Sequence, residues 1–154
     1  MRYMLITQAT ARTEAGVHAS RERAQRIGAY HAAMARAGVL VAAERLYPSS
    51  SGLRMYYREP DGRPSCVPGP LSEAKELAAG YTIIEVESEE EALDWAMRMP
   101  DPDGYGSGIV ELRRMIDDQE AAREYGAGSL AYELRGRIGM RSGITAYHWR
   151  SDRR

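Results

Sequence analysis

GYTIIEV (residues 80–86), followed at once by ESEEEALDWAMRM (residues 87–99), is the stretch on which the fold turns. Its first half is β-branched and aromatic with partial alternation, the composition of a half-buried strand. Its second half opens with a helix signal. Ser88 can accept the amide proton of Glu91 while the Glu91 carboxylate returns to the Ser88 amide, a capping box. Ala92, Trp95, Ala96 and Met99 then recur at the spacing of one helical face, and Pro100 and Pro102 stop the helix. A strand that feeds a helix this directly is half of a βαβ unit, so the flanking segments must supply the remaining strands.

Downstream, GYGSG (104–108) reads as a flexible loop and IVELR (109–113) as a strand. In that strand Val110 and Leu112 face one way, and Ile109, Glu111 and Arg113 the other. Upstream, RYMLITQ (2–8) is a short apolar strand followed by a polar loop through Gly16. Ser20 is placed to cap a helix with Glu22 in its first turn. Ile27, Tyr30, Met34 and Ala37 form that helix's apolar stripe, and Gly38 ends it. VLVAA (39–43) suits a buried strand, broken by YPSSSG (47–52). LRMYYR (53–58), the turn EPDGR (59–63) and residues 65–67 predict a hairpin.

The order is strand, helix, strand, hairpin, strand, helix, strand. This predicts an α+β fold of the ferredoxin-like, split βαβ kind, an antiparallel sheet with its helices on one face. The other face needs a cover, and a second copy laid sheet against sheet is the usual solution. The expectation is a homodimer through the sheet face with a cleft between the layers. Residues 1–116 form the predicted domain. Residues 117–154 form an extension with short helices over 119–125 and 129–137 and a weakly patterned, glycine-containing end.

Composition narrows the function classes. The chain has 154 residues, a formal charge of -1 and a pI near 6.3, which gives no global pull toward nucleic acid or an anionic membrane. Only the tail departs from this balance, with arginines 135, 137, 141, 150, 153 and 154 against Asp152. Cys66 is the sole cysteine, which rules out an intrachain disulfide and suits a reducing compartment. With no apolar run near the roughly 18 residues of a span, and Met1 to Gln8 too short for a signal peptide, the chain reads as cytoplasmic. No phosphate-binding loop, dinucleotide fingerprint, zinc-protease motif or paired cysteines occur, so neither cofactor nor metal is expected. Phenylalanine is absent and tyrosine occurs 10 times, so buried aromatic rings bring hydroxyls that need partners.

AGVL (37–40), LYPSS (46–50), PGPLSEAKE (68–76), Gly80 with Tyr81, EEALDW (90–95) and IVELR (109–113) resemble, in order, landmarks of the YCII-related or DGPF-domain proteins. The resemblance spans Met1 to Ile116 and implies a dimeric α/β barrel of ferredoxin-like halves. Some relatives resemble small-molecule lyases, including one that dehydrochlorinates a chlorinated hydroxyquinol; others resemble binding modules attached to regulators. The namesake Asp-Gly-Pro-Phe is here Pro68-Gly69-Pro70-Leu71. The acid is replaced by Pro68, so any role it has in relatives is closed to this chain.

Candidate chemistry rests on few residues. His31 lies beside the apolar stripe of the first helix and is either a packed side chain or an acid–base group reaching a cleft. Glu111, between Val110 and Leu112, either faces solvent paired with Arg54 or Arg113, or projects into the interlayer space. Lys75 is the only lysine against 20 arginines, a compact ammonium suited to an oxyanion or a solvated turn. Glu44, Ser49, Ser50, Arg54, Glu76 and Tyr81 are candidate substrate contacts. His148, in the aromatic cluster AYHW (146–149), is a further one. Lys75 and Glu76 cannot both point inward if their segment is extended. These residues support a cofactor-free lyase, isomerase or cyclase acting on a small molecule. The alternative is a non-catalytic dimeric module that binds a ligand or protein.

Overall fold

The computed structural model describes residues 1–60, 62–71 and 74–117, together with 120 and 123. Met1–Met115 form one compact unit and Ile116–Arg154 a second. The helices expected over 119–125 and 129–137, apart from residues 120 and 123, and His148 lie outside the described residues.

Among the described residues the strands and helices follow in the order β1 (Arg2–Gln8), α1 (Ala11–Glu14), α2 (Arg21–Arg36), β2 (Leu40–Arg45), β3 (Leu53–Tyr56), β4 (Ser65–Pro68), β5 (Ala78–Glu85), α3 (Glu89–Met97) and β6 (Val110–Arg114). Single 3-10 turns occupy Ser49–Ser51 and Ala74–Glu76. The main sheet runs β2-β5-β1-β6 with every neighbouring pair antiparallel, and β3 and β4 form a separate two-stranded ribbon. The first and third strands of the split βαβ order thus lie in the middle, with the second and fourth at the edges, the ferredoxin-like arrangement.

One face of this sheet makes the core. Tyr3 pairs with Ile84, and Leu5 with Thr82 and Leu112, so these side chains share a face. Against them pack Tyr30 and Met34 from α2 and Ala92 and Trp95 from α3; Leu5, Met34 and Ile84 are fully enclosed. Tyr30 shows how a buried tyrosine is satisfied. Its hydroxyl donates to the Trp95 carbonyl at 2.7 Å, and burial pushes its pKa up to about 12. With no space to relax into, Ile84→Val is expected to cost about 1 kcal/mol, read as a lower urea midpoint at unchanged slope.

Local signals hold closely. The Ser20 hydroxyl accepts from the Arg23 amide at 3.2 Å, and Gly38 closes α2 at φ 75°, a conformation costly for other residues. Two details differ from the sequence reading. The Glu91 amide does reach Ser88, but the Glu91 carboxylate accepts from the Glu87 amide at 3.0 Å, one residue before the expected position. In the presumed loop, Thr10 and Thr13 cap each other reciprocally and fold α1 as one turn. A threonine replaces the acid of the usual box, which concealed the signal.

Candidate functional site

The face of the sheet turned away from α2 and α3 carries the other half of each strand's side chains. Register aligns Glu44 of β2, Tyr81 of β5, Ile6 of β1 and Glu111 of β6 in one row; Ala42, Ile83, Met4 and Arg113 form the next. With strands about 4.8 Å apart, the first row spans roughly 14 Å from Glu44 to Glu111. It sets two carboxylates and a phenol around an aliphatic floor. The Arg113 Nε lies 3.7 Å from Glu111 Oε1, and both side chains are about half exposed or more. Such a pair contributes little stability. Of the two arginines the sequence offered Glu111, the structure selects Arg113. Arg54, on β3, has no ion pair among the described residues.

His31 is on the opposite side. Its Nε2 is 3.2 Å from the Thr82 hydroxyl, and Thr82 is buried on the helix-covered face opposite Leu5. The sheet therefore separates His31 from Glu111, and the two cannot act on one atom. Loss of water around the imidazole lowers its pKa from the ordinary 6.5. The folded state then binds fewer protons than the unfolded chain, so this contribution is present above the unfolded pKa and is lost as pH falls below it. Replacing His31 with Gln is expected to flatten the fall in melting temperature between about pH 7 and about pH 5, followed by calorimetry. An unchanged slope in the variant means that other groups dominate.

Ser49 is engaged where the sheet's edge strand ends. Its hydroxyl donates to the Glu14 carboxylate and accepts from the Leu71 amide at 3.0 Å, while its own amide donates to both Glu14 oxygens at 3.2 and 3.1 Å. Glu14 thus ties α1 to the Pro48–Ser51 turn, and Ser49 in turn holds the Leu71 amide. Glu14 lies in a polar stretch whose pattern predicts a loop, so the sequence gives no signal for this contact. Ser50 is exposed and takes no part in this clamp. A second cluster also escaped notice: Asp103, 3 % exposed, accepts from the Thr10 and Ser107 hydroxyls and from Arg12 at 3.5 Å. The Ser107 hydrogen bond heads the causes that hold its carboxyl below the usual range, with Thr10 and Arg12 contributing. A DPDG sequence followed by glycines is its only sequence trace, and it reads equally as a turn.

Lys75 belongs to the Ala74–Glu76 turn, whose next residue, Leu77, accepts the Ala9 amide at 2.7 Å at the end of β1. The Lys75 side chain lies outside the described residues. The segment is a 3-10 turn and not extended, so Lys75 and Glu76 do not alternate in and out as strand neighbours would. Glu76 is exposed.

Among the described residues, shallow depressions of about 300 and 260 Å³ lie between α2 and the Pro100–Gly104 loop and at the β3–β4 tip. Neither is lined by a candidate catalytic or substrate-contact residue. Among the described residues no group of three or more His, Cys, Asp or Glu side chains could hold a metal ion, and no helix is long and apolar enough to cross a membrane.

The sheet order, with both long helices on one face and a side-chain row on the other, defines a ferredoxin-like α+β protein. A family model narrows this: the YCII-related domain matches residues 1–127, and the chain belongs to that family. The match continues past residue 116, where the sequence reading had ended it. Against curated proteins the sequence finds no significant match.

Proposed function

We propose that the chain is a cofactor-free enzyme that moves protons on a small molecule, as a lyase, isomerase or cyclase, in a cleft between two copies packed through their sheet faces. The observation that carries this reading is the Glu44–Tyr81–Ile6–Glu111 row. An apolar floor with acid–base groups at its margins suits a small organic ligand. Glu111 is the general base: Arg113 beside it helps to hold the carboxylate in place on this face, and His31 lies behind the sheet. Tyr81, next to Ile6 in the row, donates a hydrogen bond to oxygen that gains charge as the proton leaves. Glu44 holds the far end of the ligand. Lys75, on the turn before β5 whose backbone lies beside the end of β1, supplies a further oxyanion contact.

A second reading is a non-catalytic binding module. It is favoured by Ser49, whose hydroxyl, a candidate ligand contact in the sequence, is consumed by Glu14 and Leu71. Incubating the protein with a cell metabolite extract, followed by mass spectrometry, separates the two. The enzyme reading expects one ion to decline as an isomer, or a product lighter by a small neutral molecule, accumulates. A compound retained by the protein and recovered unchanged supports the module.

A further inference from the structure

Among the described residues Asp103 is the one buried charged side chain, 3 % exposed, and the proposed reaction does not use it. Taking a carboxylate out of water is costly, and new bonds offset that cost only with good geometry, so stability alone is a weak reason for one. Its bonds join two places. Oδ1 accepts from the Thr10 hydroxyl at 3.0 Å, and Oδ2 accepts from the Ser107 hydroxyl and from Arg12 Nη1 at 3.5 Å. The Arg12 guanidinium also lies over the Tyr105 ring, 3.8 Å from its centroid. Asp101 winds the loop from within, accepting from the Asp103 amide at 3.0 Å and the Gly106 amide at 2.6 Å. Residues 101–108 are thus fastened to Thr10 and Arg12, just past the end of β1, where the Gln8 amide donates to the Ile109 carbonyl at 3.0 Å.

Glu111 starts two residues after that rung. It is the second residue of β6, a five-residue strand at the sheet's edge whose sheet neighbour among the described residues is β1. The end of such a strand opens readily. Val110 and Leu112 pack on the core from the helix side, but the residue before them has no such anchor, since Ile109 is 54 % exposed. A group that transfers a proton must be held within about 0.5 Å of its working position. We propose that Asp103 is a positioning residue for Glu111: by fastening the 101–108 loop to Thr10 and Arg12, it keeps the first residues of β6 on β1 and the base beside Ile6. The inference rests on the assignment of Glu111 as base.

A double-mutant cycle on the full chain separates positioning from plain stability. Asp103→Ala, assayed well below its melting temperature in the reaction found with metabolite extract, is expected to lower kcat about tenfold with KM nearly constant. In the Glu111→Gln background the same change is expected to cost nothing further, because the base it positions is already gone. Hydrogen exchange supplies a readout without substrate: in Asp103→Ala the amides of residues 109–112 should exchange about tenfold faster, while those of β5 keep the wild-type rate. If Asp103→Ala does not fold, Ser107→Ala carries the same cycle, since it frees the loop and leaves Thr10 and Arg12 on the carboxylate; about threefold is expected there. Equal losses in both backgrounds, no loss in either, or unchanged exchange at residues 109–112 overturns the positioning role and leaves the base standing. Wild-type turnover in Glu111→Gln, or no turnover by the wild type itself, overturns the base assignment and the inference with it.

Discussion

Gly69→Ala is expected to unfold about 10 °C below the wild type, a loss of about 3 kcal/mol or more. A methyl group at residue 69 would lie 1.8 Å from the Ser49 carbonyl oxygen, 2.6 Å from its carbon and 3.0 Å from the Ser50 Cα. All three are backbone atoms, so no rotamer change relieves the clash, and either the 48–51 turn or the 68–71 segment must move. Moving the turn strains the hydrogen bonds among Glu14, Ser49 and Leu71. The contrasting site is Gly28, within α2, where an added Cβ meets nothing within 4 Å. Gly28→Ala is expected to be stabilising by up to about 1 kcal/mol, because alanine replaces glycine in a helix interior. Calorimetry on the pair checks the claim. Equal melting temperatures for the two variants would show that the 68–71 segment yields freely and that the joint is not rigid.

The fold was legible because its signals are local and repeated. Ser20 and Ser88 announce helix starts through side chain to amide bonds that span only three residues, and Gly38 and Pro100 announce the ends. The 80–86 strand and the Val110, Leu112 alternation carry period two in the sequence itself, and from these the sheet and its covered face follow. The site was legible only in part. Alternation placed Glu111 on the face away from Val110 and Leu112, and the register bears this out. That His31 belongs to the other face depends on how α2 is rotated against the sheet. A ring beside an apolar stripe fits either rotation, until Thr82 meets it. The Glu14–Ser49 contact joins residues 35 apart through a carboxylate in a polar stretch, and no periodicity encodes such a pairing. Burial did not reveal it either, since both side chains are only half-buried.

Glu111→Gln is expected to lower the turnover of the reaction found in metabolite extracts by 10²–10⁴-fold, roughly the contribution of a positioned general base. Glutamine keeps the size and one acceptor oxygen of glutamate, so the β6 strand, its pairing with β1 and the aliphatic floor of Ile6 and Met4 are retained. What is lost is the ability to take a proton. The neighbouring Arg113 loses its partner, but that pair is 3.7 Å apart and exposed to water on both sides, so the melting temperature should change by no more than about 2 °C. This separation of activity from stability identifies the role. Glu44→Gln, at the other end of the same row, supplies the comparison. A residue that only holds the ligand should raise KM with little change in kcat, whereas loss of the base should lower kcat with KM nearly constant. Enclosure by the second copy matters to the same argument. A carboxylate open to water competes with solvent for the substrate proton, so Ile83→Arg should reduce turnover even with Glu111 intact, and to a degree that follows the monomer fraction. If Glu111→Gln turns over within about threefold of the wild type, proton transfer at this carboxylate is excluded. The Glu44–Tyr81–Ile6–Glu111 row is then a binding surface, as the module reading requires.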